Sequence, residues 1–128
     1  MAIKTFNFEI FSNGFDDVID ITSKVFDYIK NDLESVVVLF SNSENCAIIQ
    51  KENTGFLEFL NSFFDEKFLE KNKKIENFLK YKNEMKSLIC SKNEILNLEN
   101  LKNNKEKIFF LDFSSSRGIK KVCIKIIN

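Results

Sequence analysis

The sequence predicts a single α+β domain in which mixed or antiparallel β-sheets are covered by two or three helices. The chain has 128 residues, enough for one hydrophobic core and too few for two. Segments whose apolar residues recur every second position are interspersed with segments whose apolar residues recur at helical spacing. Because neither an internal repeat nor a linker-like segment divides the chain, residues 1–128 are expected to form one domain.

Two kinds of apolar pattern predict the strands. Alternation of apolar and polar side chains along residues 3–11 and 119–127 is typical of strands with one buried face. Unbroken apolar runs at 36–40 and 46–49 predict strands buried on both faces. The turn-forming residues Ser114–Gly118 separate the last two strands, which are expected to pair as an antiparallel hairpin. The predicted strands are 3–11, 15–21, 36–40, 46–49, 95–98, 108–113 and 119–127.

Helical spacing predicts three helices. The first spans about residues 23–32 and follows Asp20 or Thr22, either of which is a suitable cap. Thr54 offers a cap for the second helix, whose stripe of Phe and Leu is wide enough to suggest burial on two sides. A third, short helix is predicted around residues 83–90.

The composition limits the partners that this protein is expected to have. Fifteen Phe residues are more than one small core hides easily, which suggests self-association. Lys plus Arg equals Asp plus Glu at 19 each, so we expect neither nucleic acid nor an acidic membrane surface as a partner. The lysine-rich segment 71–82 is accordingly interpreted as a solvated face. Since no apolar segment is long enough to cross a bilayer and no signal peptide is recognisable, we expect a cytoplasmic protein.

The chain contains no histidine, and this excludes several classes of chemistry. Without imidazole there is no side chain with an ordinary pKa near neutrality, no Ser-His or Cys-His nucleophile, and no histidine-ligated zinc. We therefore expect no metal site and no cofactor. Cys46, Cys90 and Cys123 are odd in number and far apart, which favours isolated, buried and unreactive thiols.

Four strings in the right order give the chain a resemblance to the YjbQ-like family over nearly its whole length. They are Asp20-Ile21-Thr22, the apolar strand 36–40 with its polar loop, Glu84 to Leu88, and residues 108–113 followed by a small-residue turn and Arg117. The resemblance implies an α+β fold and assembly as a homotrimer. It also implies the weak thiamine-phosphate synthase activity and the histidine-rich polar pocket that are associated with the family.

The departures from the family pattern fall on that pocket. In the last turn only Arg117 is retained, because Ser114-Ser115-Ser116 replaces Asp-Gly-Pro. The other replacements are Asn42-Ser43-Glu44 for His-Thr-Thr, Gln50-Lys51 for Asn-Glu, Glu84 for a histidine, and Lys105-Glu106 for Trp-Gln. The site is therefore expected to be degenerate and free of histidine. Its candidate ligand-binding residues are Asn42, Ser43, Glu84, Asp112, Ser114, Ser115 and Arg117.

Three functional hypotheses follow from the resemblance and its departures. The first is a noncatalytic protein that binds a small anion at Arg117 and its serine turn, the alternative being an ordinary exposed turn. The second is an enzyme that uses Glu44, Glu84 and Asp112 as bases or as ligands for Mg²⁺ or Mn²⁺, or one with residual thiamine-phosphate synthase activity. The third is a structural or partner-binding trimer, in which a side chain such as Lys51 fills the former pocket.

Overall fold

The structure, a computed structural model, describes residues 2–52, 55–72, 78–90 and 93–128, without the side chains of 66–72 and 78–81. Seven strands and four helices occur in this part of the chain. The strands are β1 Ile3–Ser12, β2 Asp17–Asp20, β3 Val36–Phe40, β4 Cys46–Lys51, β5 Asn93–Ile95, β6 Lys107–Asp112 and β7 Gly118–Ile127. The helices are α1 Thr22–Ile29, α2 Gly55–Asn72, α3 Phe78–Ile89 and α4 Leu98–Lys102.

The strands form two antiparallel sheets. One has four strands in the order β1-β7-β3-β5, and the other has three in the order β2-β6-β4. β7 lies between β1 and β3, where Ile10 pairs with Lys120 and Ile124 pairs with Leu39. β6 lies in the middle of the three-stranded sheet, and its last residue, Asp112, pairs with Cys46.

Two hydrophobic cores lie on the two faces of the three-stranded sheet. Ile108 and Phe110 of β6 pack in the core that this sheet shares with β1, β3, β7, α1 and α4. Phe109 and Leu111 point the opposite way, into a core shared with the helix α2. The period-2 alternation of a strand thus places successive residues of β6 in different cores. This explains the unbroken apolar runs of β4 and β6, which are buried on both faces.

The predicted strand positions are largely confirmed, but the predicted hairpin of the last two strands is wrong. β6 pairs with β2 and β4, whereas β7 pairs with β1 and β3 in the other sheet. Both edges of each strand are already occupied, so residues 113–117 form a crossover between the sheets and not a hairpin turn. A run of small turn-forming residues is compatible with either connection, and only the pairing distinguishes them.

Burial also differs from the prediction in two elements. β3 is buried on one face only: Val37 and Leu39 point into the core, and Val36 is exposed on the outer face of the four-stranded sheet. In α2, Leu60 and Phe64 are buried while Phe59 is exposed, so one side of the helix packs against the domain. An apolar run shows that a segment is hydrophobic, but it does not show which faces this chain covers.

The structure has a longer third helix than predicted and one further helix. α3 begins before the predicted short helix, and the unpredicted α4 begins where the side chain of Asn97 accepts a hydrogen bond from the Asn100 amide. At the start of α1, Asp20 accepts hydrogen bonds from the amide and hydroxyl of Thr22. The proposed cap Thr54 lies outside the described residues, as does most of the side-chain pattern of 71–82. No helix in the described ranges is long and apolar enough to span a bilayer.

Candidate functional site

A buried carboxylate, Asp112, joins the two sheets at one end of the core. Its side chain is 0% exposed and lies in phase with Ile108 and Phe110, on the face of β6 that looks toward the four-stranded sheet. Its Oδ2 accepts a hydrogen bond from Ser12 Oγ of β1 at 2.6 Å. Its Oδ1 accepts bonds from the Ser114 amide at 2.9 Å and the Ser114 hydroxyl at 2.6 Å. Both carboxylate oxygens are therefore occupied by hydrogen-bond donors.

These donors keep Asp112 ionised. Burial alone would raise the pKa of this carboxyl, but the hydrogen bonds from Ser114 and Ser12 and the positive charge of Lys120 lower it further than burial raises it, so the pKa lies below its ordinary value. Lys120 Nζ is 3.6 Å from Oδ2 in an ion pair that is almost fully buried. The negative charge on Asp112 thus holds Ser12, Ser114 and Lys120 together at this end of the core.

Lys120 also contacts the serine turn directly. Its ammonium donates hydrogen bonds to Ser114 Oγ at 3.3 Å and to Ser116 Oγ at 3.1 Å. The lysine occupies an inward-facing position of β7, where its side chain is only 9% exposed. A buried cation therefore lies directly behind two hydroxyl groups; Ser114 donates its hydrogen to Asp112, and the Ser116 hydroxyl can donate toward the pocket.

The hydroxyl groups border an open pocket of about 290 Å³. The pocket lies between the β6–β7 crossover and the loop that precedes β4. Its polar lining offers hydrogen-bond donors from the crossover and acceptors from the loop. The residues that line it are Glu44, Asn45, Ser114, Ser115, Ser116 and Lys120. Such a lining suits a small, strongly polar ligand.

A second pocket of about 270 Å³ shares two residues of this lining, Glu44 and Asn45. Its other lining residues come from α3: Glu84, Ser87 and Leu88. A third pocket, of about 320 Å³, is lined by Lys51, Glu52, Phe56 and Glu106 at the opposite end of β4. The first two pockets are therefore neighbours, and the third is separate.

The structure brings together only some of the residues predicted for the site. Ser114 and Ser115 line the first pocket, Asp112 lies behind Ser114, and Glu84 lines the second pocket. Asn42 is exposed and is not part of either lining. The Ser43 amide donates to Ser41 Oγ within the loop, at 3.2 Å. Three of the predicted residues, Ser114, Ser115 and Glu84, thus line two neighbouring pockets, and the others lie outside both linings.

Arg117 lies on a different surface. Its guanidinium carbon is 5.2 Å from the centre of the Phe11 ring, in a cation–π contact. Phe11 pairs with Ile119 across the outer face of the four-stranded sheet, and both side chains are more than half exposed. The cation in the lining of the first pocket is therefore Lys120.

The three carboxylates of the metal-enzyme hypothesis do not share one open pocket. Asp112 has both oxygens engaged with serine hydroxyls and an amide, while Glu44 and Glu84 border the second pocket. Within the described ranges, no group of three or more His, Cys, Asp or Glu side chains is positioned to hold a metal ion. The arrangement at Asp112 is that of a structural ion pair.

Cys46 and Cys90 are buried, as predicted, whereas Cys123 on the outer face of β7 is only partly buried. Burial raises the pKa of Cys90 to about 11, although the positive charges of Lys86 and Lys51 oppose the increase. Cys90 therefore stays protonated near neutral pH. Cys46 Sγ lies 3.4 Å from the Glu44 carbonyl oxygen and 3.5 Å from Asp112 Oδ1, beneath the first pocket.

Sequence reasoning missed Lys120 and Ser12, whereas Ser116 belonged to the serine turn that it proposed. A signal for Lys120 was present, because Val122, Ile124 and Ile126 define the inward face of β7 and the same period of two reaches residue 120. A lysine at an inward position of a strand indicates a buried partner. Ser12 gave no comparable signal, because its partner Asp112 is 100 residues away in sequence.

Solved structures with this architecture include proteins from three organisms. A YbjQ-like protein of unknown function from Sulfolobus solfataricus is 13% identical, with a TM-score of 0.69 and coverage of 99% of both chains. An uncharacterised conserved protein of the YjbQ family from Clostridium acetobutylicum is 18% identical, with a TM-score of 0.69 and coverage of 95% of this chain and 99% of that one. The chain has the YjbQ-like fold.

A conserved hypothetical protein from Thermus thermophilus is 16% identical over 95% of this chain and 99% of that chain, with a TM-score of 0.70. Neither a family model nor a curated protein matches the sequence. Identities this low establish the fold and do not transfer a function. The YjbQ-like resemblance found in the sequence is thus confirmed for the fold.

The buried carboxylate predicts a specific loss of stability in acid. Because Asp112 has a lower pKa in the folded protein than in the unfolded chain, the stabilisation is complete above about pH 5 and is lost as the pH falls below the ordinary carboxyl pKa of 3.8. Urea unfolding at a series of pH values should show a decline in this window that is smaller in Asp112→Asn. Asp27→Asn, at an exposed position of α1, is the control and should keep the wild-type decline. Equal declines in wild type and Asp112→Asn would contradict the assignment.

Proposed function

We propose that this protein is a divergent, noncatalytic member of the YjbQ-like family that binds a small oxyanion, such as phosphate, in the pocket formed by the serine turn and Lys120. The observation that carries the proposal is the buried ammonium of Lys120, which lies 3.1 and 3.3 Å from the hydroxyl oxygens of Ser116 and Ser114. The Ser116 hydroxyl accepts a hydrogen bond from this cation without donating to Asp112, so it is polarised and becomes a better donor toward an anion.

The local charges support a weak, selective anion site. Asp112 partly neutralises Lys120, but its oxygens accept hydrogen bonds from Ser12 and Ser114, and Asp112 is not among the residues that line the pocket. The ligand therefore meets serine hydroxyls and the Asn45 side chain first, with the cation behind them. Glu44 on the pocket rim is exposed to solvent, which screens its repulsion of an anion.

The same geometry argues against catalysis at this pocket. A serine nucleophile would need a neighbouring base, and the nitrogen beside Ser114 and Ser116 is that of Lys120, which is held in an ion pair with Asp112 at 3.6 Å. Histidine, the usual alternative base, does not occur in this chain. Binding without turnover is therefore the function that these residues support best.

We further propose that the protein assembles as a homotrimer through the outer face of the four-stranded sheet. Phe11 and Ile119 form an exposed cross-strand pair on this face, and Arg117 covers the Phe11 ring. Aromatic side chains and arginine are enriched in protein interfaces. The exposed apolar side chains of this face are Ile3, Phe11, Val36, Ile95 and Ile119. A purely structural role of such a trimer would leave the pocket without a ligand.

Removal of the buried cation should abolish most of the anion affinity. Phosphate binding by Lys120→Met should be about ten-fold weaker or more, because a hydrogen bond to a charged group is lost. Isothermal titration calorimetry with inorganic phosphate measures the change, and circular dichroism verifies the fold. Lys102→Met, at an exposed position of α4, should bind like the wild type. Absence of phosphate binding by the wild type would overturn the anion proposal.

Substitution on the pocket rim distinguishes an anion site from a cation site. Glu44→Gln removes a negative charge from the lining while leaving a side chain of the same size. Phosphate affinity should increase by about two-fold or more at low ionic strength, and the gain should disappear in high salt. A titration with Mg²⁺ is the counterpart. The metal-enzyme hypothesis would be favoured if the wild type bound Mg²⁺ more tightly than phosphate and Glu44→Gln no longer bound Mg²⁺.

The trimer is tested by a charge on the outer sheet face. Ile119→Asp should shift the sedimenting species from trimer toward monomer at micromolar concentration, because an interface would bury the new carboxylate without a partner. Phe59→Asp, on the exposed side of α2, is the control and should remain trimeric. A monomeric wild type at this concentration would refute the proposed assembly.

A further inference from the structure

One ion pair links helix α3 to the loop that supports the serine turn. Lys86 Nζ donates to both carboxylate oxygens of Asp16, at 3.2 and 3.1 Å. The lysine is 1% exposed, and its ammonium lies 5.6 Å from the centre of the Phe113 ring. Asp16 remains about one-third exposed, so the pair holds a loop residue to the interior through a fully buried cation.

The loop that Asp16 belongs to has an unfavourable backbone conformation. Gly14, Phe15 and Asp16 follow one another with φ values of 67°, 52° and 65°. Two of these residues carry side chains, and a left-handed backbone is unfavourable for such residues because the Cβ atom approaches the following carbonyl oxygen. Three consecutive left-handed residues persist only where surrounding contacts hold them, and the ion pair to Lys86 is one such contact.

The strained loop packs directly on the turn that lines the anion pocket. The Phe15 amide donates to the Ser114 carbonyl oxygen at 2.7 Å, and the Gly14 amide donates to Ser12 Oγ at 3.0 Å. A Cβ atom on Gly14 would lie 2.7 Å from the Ser116 carbonyl oxygen, so the contact is too close for any side chain. The loop and the serine turn are therefore packed closely against each other.

From these contacts we infer that the Lys86–Asp16 ion pair is a positioning device for the anion pocket. It holds the loop 14–16 in its left-handed conformation, and the loop in turn fixes Ser114 and Ser116 over Lys120. Neither Lys86 nor Asp16 belongs to the pocket lining, so both act through other residues. The inference rests on the proposed anion site and adds a mechanism by which α3, which also borders the second pocket, influences affinity.

The test is the effect of this distant pair on phosphate affinity. Lys86→Met keeps the apolar stem against Phe113 and removes the charge, leaving Asp16 to be solvated. We expect phosphate binding to weaken by about two- to thirty-fold. Hydrogen exchange of the Phe15 amide should accelerate at the same time. A merely structural pair would lower the melting temperature and leave affinity unchanged.

The matched control is Lys107→Met, which breaks the exposed ion pair between Lys107 and Asp20. It should leave both the phosphate affinity and the Phe15 exchange rate at wild-type values. Should Lys86→Met fail to fold, Asp16→Asn replaces it, because Asn tolerates a left-handed backbone and the position is partly solvated.

The possible outcomes separate this inference from the anion proposal. A wild type that does not bind phosphate refutes the proposed function itself. The positioning role alone is refuted if the wild type binds phosphate and a folded Lys86→Met variant binds it with unchanged affinity. A folded Asp16→Asn variant with unchanged affinity would have the same meaning. The positioning role is supported if the variant binds phosphate more weakly and exchanges the Phe15 amide faster, while the Lys107→Met control behaves like the wild type.

Discussion

The arrangement of this end of the molecule depends on the burial of one carboxylate between two sheets. Asp112 ends the central strand of the three-stranded sheet, and Ser12 and Lys120 reach it from neighbouring strands of the four-stranded sheet. A buried charge is tolerated only with partners, so these residues must stay together for the sheets to stay together here. The same requirement fixes the crossover from β6 to β7, because Ser114 is also one of the partners.

The hydrophobic layers explain why a polar group can be held so firmly. The three-stranded sheet has a core on each face, and side chains such as Phe110 and Leu111, on opposite faces of β6, are fully or almost fully buried. Well-packed interiors move little, so the strand that ends at Asp112 presents its carboxylate in a defined place. Polar side chains at the end of a well-packed strand are held in position by the strand itself and need no flexible loop to place them.

The family resemblance implies a histidine-rich pocket beside the last turn, and the structure shows which charged side chains lie near that turn. The turn that resembles the family pattern keeps its arginine, yet Arg117 lies on the Phe11 ring at the sheet surface. A cation is present beside the turn nevertheless, and it comes from β7 as Lys120. A lysine that is paired with a carboxylate supplies a positive charge and hydrogen-bond donors, whereas the chain has no imidazole to supply.

The sequence alone determined the α+β class, most strand positions and the exclusion of histidine chemistry, because these follow from local periodicity and composition. The YjbQ-like resemblance rests instead on four short strings in the right order. The sequence proposed Ser114, Ser115 and Glu84 as members of one site, and the structure places them in the linings of two neighbouring pockets. Tertiary structure decided that β6 and β7 belong to different sheets, that Arg117 lies outside the pocket, and that Ser12 and Lys120 meet Asp112. Those outcomes depend on strand pairing and on contacts between residues far apart in sequence, which no local pattern encodes.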